Sequence, residues 1–422
     1  MRHPPLAPGW IDRPHQRFAI GDMPLESGET LRDAFVSYVV HGDPAQLAAG
    51  SGILACTAIG STHHRLDFLI GPGNALDTDR HCIVVADALG NGLSSSPSNS
   101  AAQPGAAFPR ITMHDMVESQ RRLLEHLNVG RLKAVVGASM GGMQALQWAV
   151  SEPRRMERAV AMTPMARTAR WSQLVNEMSR RALFADAECT QPRPRGEAMR
   201  LFAPLSQLLM PRTPEALEAF GSQQALLDEI SRLEREGAEH GPDAFDWRCQ
   251  SRAYDAHDVG TTRGFDGDTE RALACIEAEV LIAAPLSDLY NPPFGAREAA
   301  RSIRRVQVVE LPGHDGHQRQ RRLHALDRSA ARRDPRLPAL TRQTCRAGQF
   351  AVMSDPEMIA AVLRDRSVGF QRTARLNETS REMSFVGLFA AKGQAGSGIG
   401  RWFCAASTRR TSRHSIPSCR GP

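Results

Sequence analysis

Short apolar runs rich in β-branched residues recur along the chain at 34–40, 53–58, 82–87, 134–136, 158–162, 280–284 and 305–311, each bounded by turn residues. They read as strands buried on both faces. Helical periodicity fills the intervals and is clearest over 112–127. There Thr112 and Asp115 have capping-box spacing, and Ile111, Met116, Leu123, Leu124 and Leu127 share one face. Strand alternating with helix predicts an α/β architecture, a mostly parallel sheet covered by helices. The alternation stops after Met162 and resumes near Val280. The interval holds helix formers (216–220 and 223–235) and no good strand, which predicts a helical cap inserted into the sheet domain. The expected organisation is a first core part over 17–165, a cap over 166–268, a second core part over 269–318 and an irregular tail over 319–422.

At 422 residues the chain accommodates one such core with its cap, and 41% hydrophobic with 23% charged residues is ordinary for a globular protein. No apolar run is long enough for a signal peptide or a membrane span, so a cytoplasmic protein with no membrane partner is expected. The eight cysteines are scattered without CxxC spacing, which predicts reduced thiols and no zinc or disulfide framework. The net charge of +6 is localised. Residues 319–422 hold 20 Lys+Arg against 7 Asp+Glu, leaving the rest of the chain mildly acidic, so no nucleic-acid partner is expected of the folded part. That tail has little periodicity. It reads either as a disordered basic extension or as out-of-frame sequence after a slip just past His317, which would remove a covering helix from the sheet.

Chemistry concentrates at Gly137-Ala138-Ser139-Met140-Gly141, which follows an apolar run and opens a helical pattern. A serine between a buried strand and a helix sits on a sharp turn that small neighbours permit, with its hydroxyl held out of the packed core. Ser139 is thus the candidate nucleophile. The backbone N–H of Met140, at the helix N-terminus, faces any oxyanion that forms. A second donor is expected from the loop after the 53–58 strand, Ile59 or alternatively Ala58. The nucleophile needs a base and the base an orienting acid. Asp288, after the 280–284 strand, is the candidate acid; His314 and His317, after the last strand, are the candidate bases. The order Ser, Asp, His is that of the α/β-hydrolase fold.

The strings LIGPGNALDT (69–78), LGNGLSSSPS (89–98), FPRIT and DMV (108–112 and 115–117) and GASMGGMQALQW (137–148) resemble the homoserine O-acetyltransferase family of the α/β-hydrolases, over about 17–318. The resemblance implies ping-pong acyl transfer from acetyl-CoA, or another acyl-CoA, to a small alcohol. Acyl-CoA is then a co-substrate and no cofactor is resident. It also favours His317, which follows Gly316 and stands seven positions after Glu310, as the base is placed in these relatives; Gly313-His314-Asp315 keeps His314 as the runner-up. The short serine-rich loop after Gly92 departs from homoserine-specific members, so the acceptor need not be homoserine. A homodimer through the caps is implied by analogy. The same apparatus hydrolyses esters or thioesters when water reaches the acyl-enzyme first, and a copy damaged at its C-terminus would be inactive.

Other polar clusters read more plainly. Segment 254–259 (Tyr-Asp-Ala-His-Asp-Val) is expected to be structural or to position an acceptor, because adjacent ligands cannot converge on one ion. His63 and His64, near the oxyanion segment, read as a solvated loop, with contact to substrate as the alternative. Arg263 is a candidate partner for a substrate carboxylate, and no metal site is expected.

Overall fold

The protein is described by a computed structural model at residues 3, 6, 7, 9–184 and 195–311, apart from the side chains of 48, 195 and 240. The strands are β1 (Gln16–Pro24), β2 (Thr30–His41), β3 (Gly52–Cys56), β4 (Cys82–Ala86), β5 (Leu132–Ala138), β6 (Met156–Met162), β7 (Glu279–Pro285) and β8 (Val306–Leu311). They form one sheet in the order β1-β2-β4-β3-β5-β6-β7-β8, with β2 antiparallel to its neighbours and β4 through β8 parallel. This is an α/β-hydrolase fold, as expected.

The predicted strands are all present, and β1 is an addition. It lies at the sheet edge, is largely exposed and is broken by register shifts around Gly21, so its apolar alternation is confined to Phe18 and Ile20, too short to mark a strand. The central strands bury both faces. Leu54, Cys56, Val84 and Val135 pack with Leu123, Trp148 and Leu273, while Ile53, Ala55, Val85 and Val136 pack on the other side with Leu66, Leu69 and Leu76. Each such aliphatic side chain contributes roughly 1.5–3 kcal/mol through burial.

The helices beside the sheet are α1 (Ala45–Ala48), α2 (Met113–His126) and α3 (Met140–Ser151). The α2 N-terminus is closed by the expected capping box, Thr112 Oγ1 accepting from Asp115 N–H and Asp115 accepting from Thr112 N–H. Between β6 and β7 come α4 (Arg170–Leu183), α5 (Arg195–Pro204), α6 (Pro214–Leu217), α7 (Gln223–His240) and α8 (Ala244–Asp255); α9 (Thr269–Ala274) and α10 (Pro293–Ser302) return to the sheet. The helical insertion leaves and rejoins the core through a two-stranded neck. Thr168 N–H donates to His257 O at 3.0 Å, Val259 N–H to Ala166 O at 2.9 Å, and Arg167 bridges Asp258 antiparallel. Among the described residues no helix is long and apolar enough to cross a membrane.

Candidate active site

The turn from β5 into α3 is built by exclusion of side chains. A Cβ on Gly137 would stand 2.1 Å from Gly141 O, one on Gly141 would stand 2.4 Å from Cys56 O, and one on Gly142 would stand 2.6 Å from Met162 O. These three glycines let α3 dock against the backbone ends of β3, β5 and β6. Ser139, at the N-cap, is consequently forced to φ 55° and ψ −122°, a costly conformation for a side-chain-bearing residue, of the sort that clusters at functional sites. Its N–H is held by Met162 O at 2.8 Å and Thr163 Oγ1 at 3.1 Å. Its Oγ is fully buried and completes no hydrogen bond of ordinary geometry.

The close approach at Gly141 brings the loop after β3 to the same spot. There Ala58 N–H is taken by Ser61 Oγ at 2.9 Å, and Gly60 N–H by Gln250 Oε1 at 2.8 Å. Ile59 N–H, between them, has no partner among the described residues. Of the two donors the sequence offers, Ile59 therefore has its N–H available and Ala58 does not. Met140, the first residue of α3, has no helical acceptor for its own N–H. The insertion roofs this loop: Trp247 lies over Gly60, and Gln250 also donates to Leu89 O at 3.1 Å.

Asp288 lies just past β7, two strands along the sheet edge from Ser139. Its Oδ1 accepts from the N–H groups of Tyr290 at 3.0 Å and Asn291 at 2.8 Å, a local turn that fixes the carboxylate plane. Asp288 is part-exposed as a residue, yet its Oδ2 is shut off from solvent and has no partner among the described residues. Burial pushes the carboxyl up to about 6, against the pull of those two N–H bonds.

Three residues connect Asp288 to Ser139: Thr163 and Asn291, which the sequence reading passed over, and Tyr254, which it placed in a segment that is structural or positions an acceptor. Asn291 Nδ2 donates to Thr163 O at 2.5 Å, Thr163 Oγ1 accepts from Ser139 N–H, and the Tyr254 hydroxyl donates to Asn291 Oδ1. Tyr254 is fully buried, and its phenol approaches Ser139 closely enough to interact although the Ser139 oxygen forms no regular bond to it; burial raises its pKa well above the ordinary value. The only signal in the sequence was position: Thr163 and Asn291 follow strand ends, and Tyr254 lies in a segment expected to be structural.

The rest of that segment is tied into the fold. Asp255 accepts from Asn176 and Arg180, Asp258 from Gly260 N–H and Thr269, and buried His257, pushed down to about 4 by desolvation, meets Met165 O at 3.1 Å. Arg263 is not gathered into the group around Ser139. It is exposed and follows Thr262, whose hydroxyl accepts from Gln147, so it lies beside α3 about 12 Å of helix beyond Ser139. His63 and His64 are not in a solvated loop: they are 1% and 5% exposed. His314, His317 and the basic tail lie outside the described residues.

A profile of the family described as alpha/beta hydrolase fold matches residues 60–317. The chain is 32% identical over 352 residues to a homoserine O-acetyltransferase of Symbiobacterium thermophilum, covering 72% of this chain and 90% of that protein. It is 29% identical over 338 residues to a homoserine O-succinyltransferase of Methylibium petroleiphilum, covering 70% and 86%. Among solved structures the acetyl esterase MekB is similar, at 28% identity and a TM-score of 0.64, covering 74% of this chain and 95% of that one.

Proposed function

The chain belongs to the α/β-hydrolase fold family and, within it, to the homoserine O-acetyltransferase group, and on that premise we propose that it is an acyltransferase moving an acyl group from acyl-CoA to a small alcohol through an ester on Ser139. One observation carries the reading. Two buried oxygens at the same end of the sheet, Ser139 Oγ and Asp288 Oδ2, make no regular hydrogen bond among the described residues. Buried polar atoms are nearly always paired, and a single imidazole accepting from one and donating to the other would satisfy both. His317 is the proposed base, with His314 as the runner-up; the family match running to residue 317 supports that choice.

The steps follow from the charges. The imidazole takes the Ser139 proton as Oγ attacks the thioester carbonyl, and the oxyanion accepts from Ile59 and Met140 N–H. The thiol leaves with the proton from the imidazolium, whose charge Asp288 offsets. The acceptor alcohol then gives its proton to the imidazole and attacks the Ser139 ester, releasing the new ester. The complete burial of Ser139 beneath α8 supports transfer over hydrolysis, since water is kept from the acyl-enzyme. Ester hydrolysis is the second reading, favoured by the likeness to an acetyl esterase. An exposed apolar stripe on α4, Trp171, Leu174 and Met178, supports a homodimer through the insertion. The test is consumption of acetyl-CoA and of succinyl-CoA by the purified protein with and without homoserine or serine. Acceptor-dependent consumption supports transfer, equal consumption without acceptor supports hydrolysis, and none with either thioester or a simple acetate ester overturns both.

Gln250 gives a narrower check on the oxyanion loop. Gln250→Leu strips Gly60 N–H and Leu89 O of their partner and frees the loop that presents Ile59. A fall in kcat of about 10- to 100-fold with KM little changed is expected, read from steady-state kinetics; a change confined to KM would count against the Ile59 assignment.

The Asp288 carboxyl supplies a pH test. Its folded pKa of about 6 stands above the ordinary 3.8, so between these values the folded chain keeps a proton that the unfolded chain has lost. Its contribution to stability is therefore whole below pH 3.8 and is lost as pH rises through about 6. Asp288→Asn escapes that loss. Relative to wild type, its Tm should rise on going from about pH 5 to about pH 8 while activity falls about 10⁴-fold; parallel Tm curves would show the carboxyl to be unperturbed.

A further inference from the structure

Four imidazoles meet where the first residues of the chain cross the loop after β3, and nothing in the acyl-transfer chemistry uses them. His63 opens a 3-10 turn (His63–Leu69) four residues past Ile59. Its ring centroid is 4.4 Å from that of His15, 5.3 Å from His3 and 4.2 Å from His64, and Trp10 stacks on His64 at 4.3 Å. One ring nitrogen each of His3, His15 and His63 lies within 4.8 Å of the other two.

The hydrogen bonding around this group is that of a ligand set. His63 is 1% exposed; its Nδ1 is held by Asp87 Oδ2 at 3.1 Å and its N–H by Asp87 Oδ1 at 2.9 Å. Asp87 is itself fixed by Ser37 Oγ at 3.1 Å and Asn91 Nδ2 at 3.0 Å. His63 Nε2 is buried with no partner among the described residues. A carboxylate that holds Nδ1–H directs the Nε2 lone pair outward, the arrangement found behind metal-bound histidines. His64 repeats it, with Nδ1 at 2.6 Å from Asp67 Oδ2, and its Nε2 lies 3.0 Å from His3 Nε2. A merely packed histidine has no need of two carboxylate-backed rings and an unpartnered buried nitrogen in a ring that adjoins two more imidazoles.

We propose that His3, His15 and His63 bind a divalent transition-metal ion, zinc by preference, with water in the fourth position and Asp87 as the supporting carboxylate. Three imidazoles suit zinc, whose Zn–N bonds of about 2.0–2.1 Å in tetrahedral geometry require the ligand nitrogens to close by up to about 1.5 Å. His15 is exposed and His3 partly exposed, whereas His63 is buried. The ion ties His3 and His15 to the stretch that carries Ile59, since His63 follows that residue by four positions.

The test uses the full-length protein without a polyhistidine tag, stripped with a chelator and titrated with zinc sulfate, and with cobalt(II) as a spectroscopic probe. Expected are one equivalent bound by elemental analysis, tetrahedral cobalt absorption and a rise in Tm on zinc addition. His15→Ala, at an exposed position and checked for folding by circular dichroism, should bind at least 100-fold more weakly and lose the Tm rise, and Asp87→Asn should bind about 10- to 100-fold more weakly. No stoichiometric binding in the folded wild type, or binding and a Tm rise unchanged in both His15→Ala and His3→Ala, would overturn the site.

Discussion

Ser139→Ala is expected to lower acyl transfer and ester hydrolysis by about 10⁴- to 10⁶-fold, the loss seen when the nucleophile of a Ser-His-Asp apparatus is removed. The fold should survive it. Ser139 Oγ forms no regular hydrogen bond, the strained backbone is imposed by the glycines on either side, and alanine has the same Cβ. Removing an orphaned buried hydroxyl leaves stability unchanged or slightly raised. Intact-mass spectrometry after exposure to acyl-CoA should detect an acyl adduct on the wild type and none on the variant. Comparable turnover by both proteins would sink the nucleophile assignment outright.

Gly137→Ala is expected to have the opposite character, a large loss of stability with activity falling only as a consequence. The added methyl would meet Gly141 O at 2.1 Å and Gly141 Cα at 2.8 Å, backbone atoms that cannot rotate aside. Relief requires α3 to retreat from β5, which would undo its seat against Cys56 O and Met162 O. A cost of about 4 kcal/mol is expected, seen as a fall in Tm of roughly 10 °C or as insoluble protein. Gly130→Ala is the control, since a Cβ there has no neighbour within 4 Å. Equal melting of the two variants would show that the turn is less tightly closed than the distances require.

The parts of this molecule that could be read from its sequence are those whose physics is local. Central strands buried on both faces become unbroken apolar runs, so β3 to β8 were visible; β1, exposed and interrupted at Gly21, was not. The positions of Ser139 and Asp288 just past strand ends were legible from the apolar runs that precede them, and the capping box at Thr112 because its spacing suffices to specify it. Tyr254, Thr163 and Asn291 stayed hidden because their role is created by hydrogen bonds between separate loops. His63 and His64 were misjudged for a related reason. Paired histidines after a turn look hydrated until His3, Trp10 and His15 are seen packed against them.

The neck at residues 166–168 and 257–259 separates what holds the sheet from what roofs the site. Because the outgoing and returning chains are bonded to each other, lengthening, shortening or replacing what lies beyond them leaves the spacing of β6 and β7 untouched. Any replacement roof would have to supply again what α8 gives from beyond this junction, the hold of Gln250 on Gly60 and Leu89 and the bond of Tyr254 to Asn291, while Ser139 and Asp288 stay on the ends of the sheet strands.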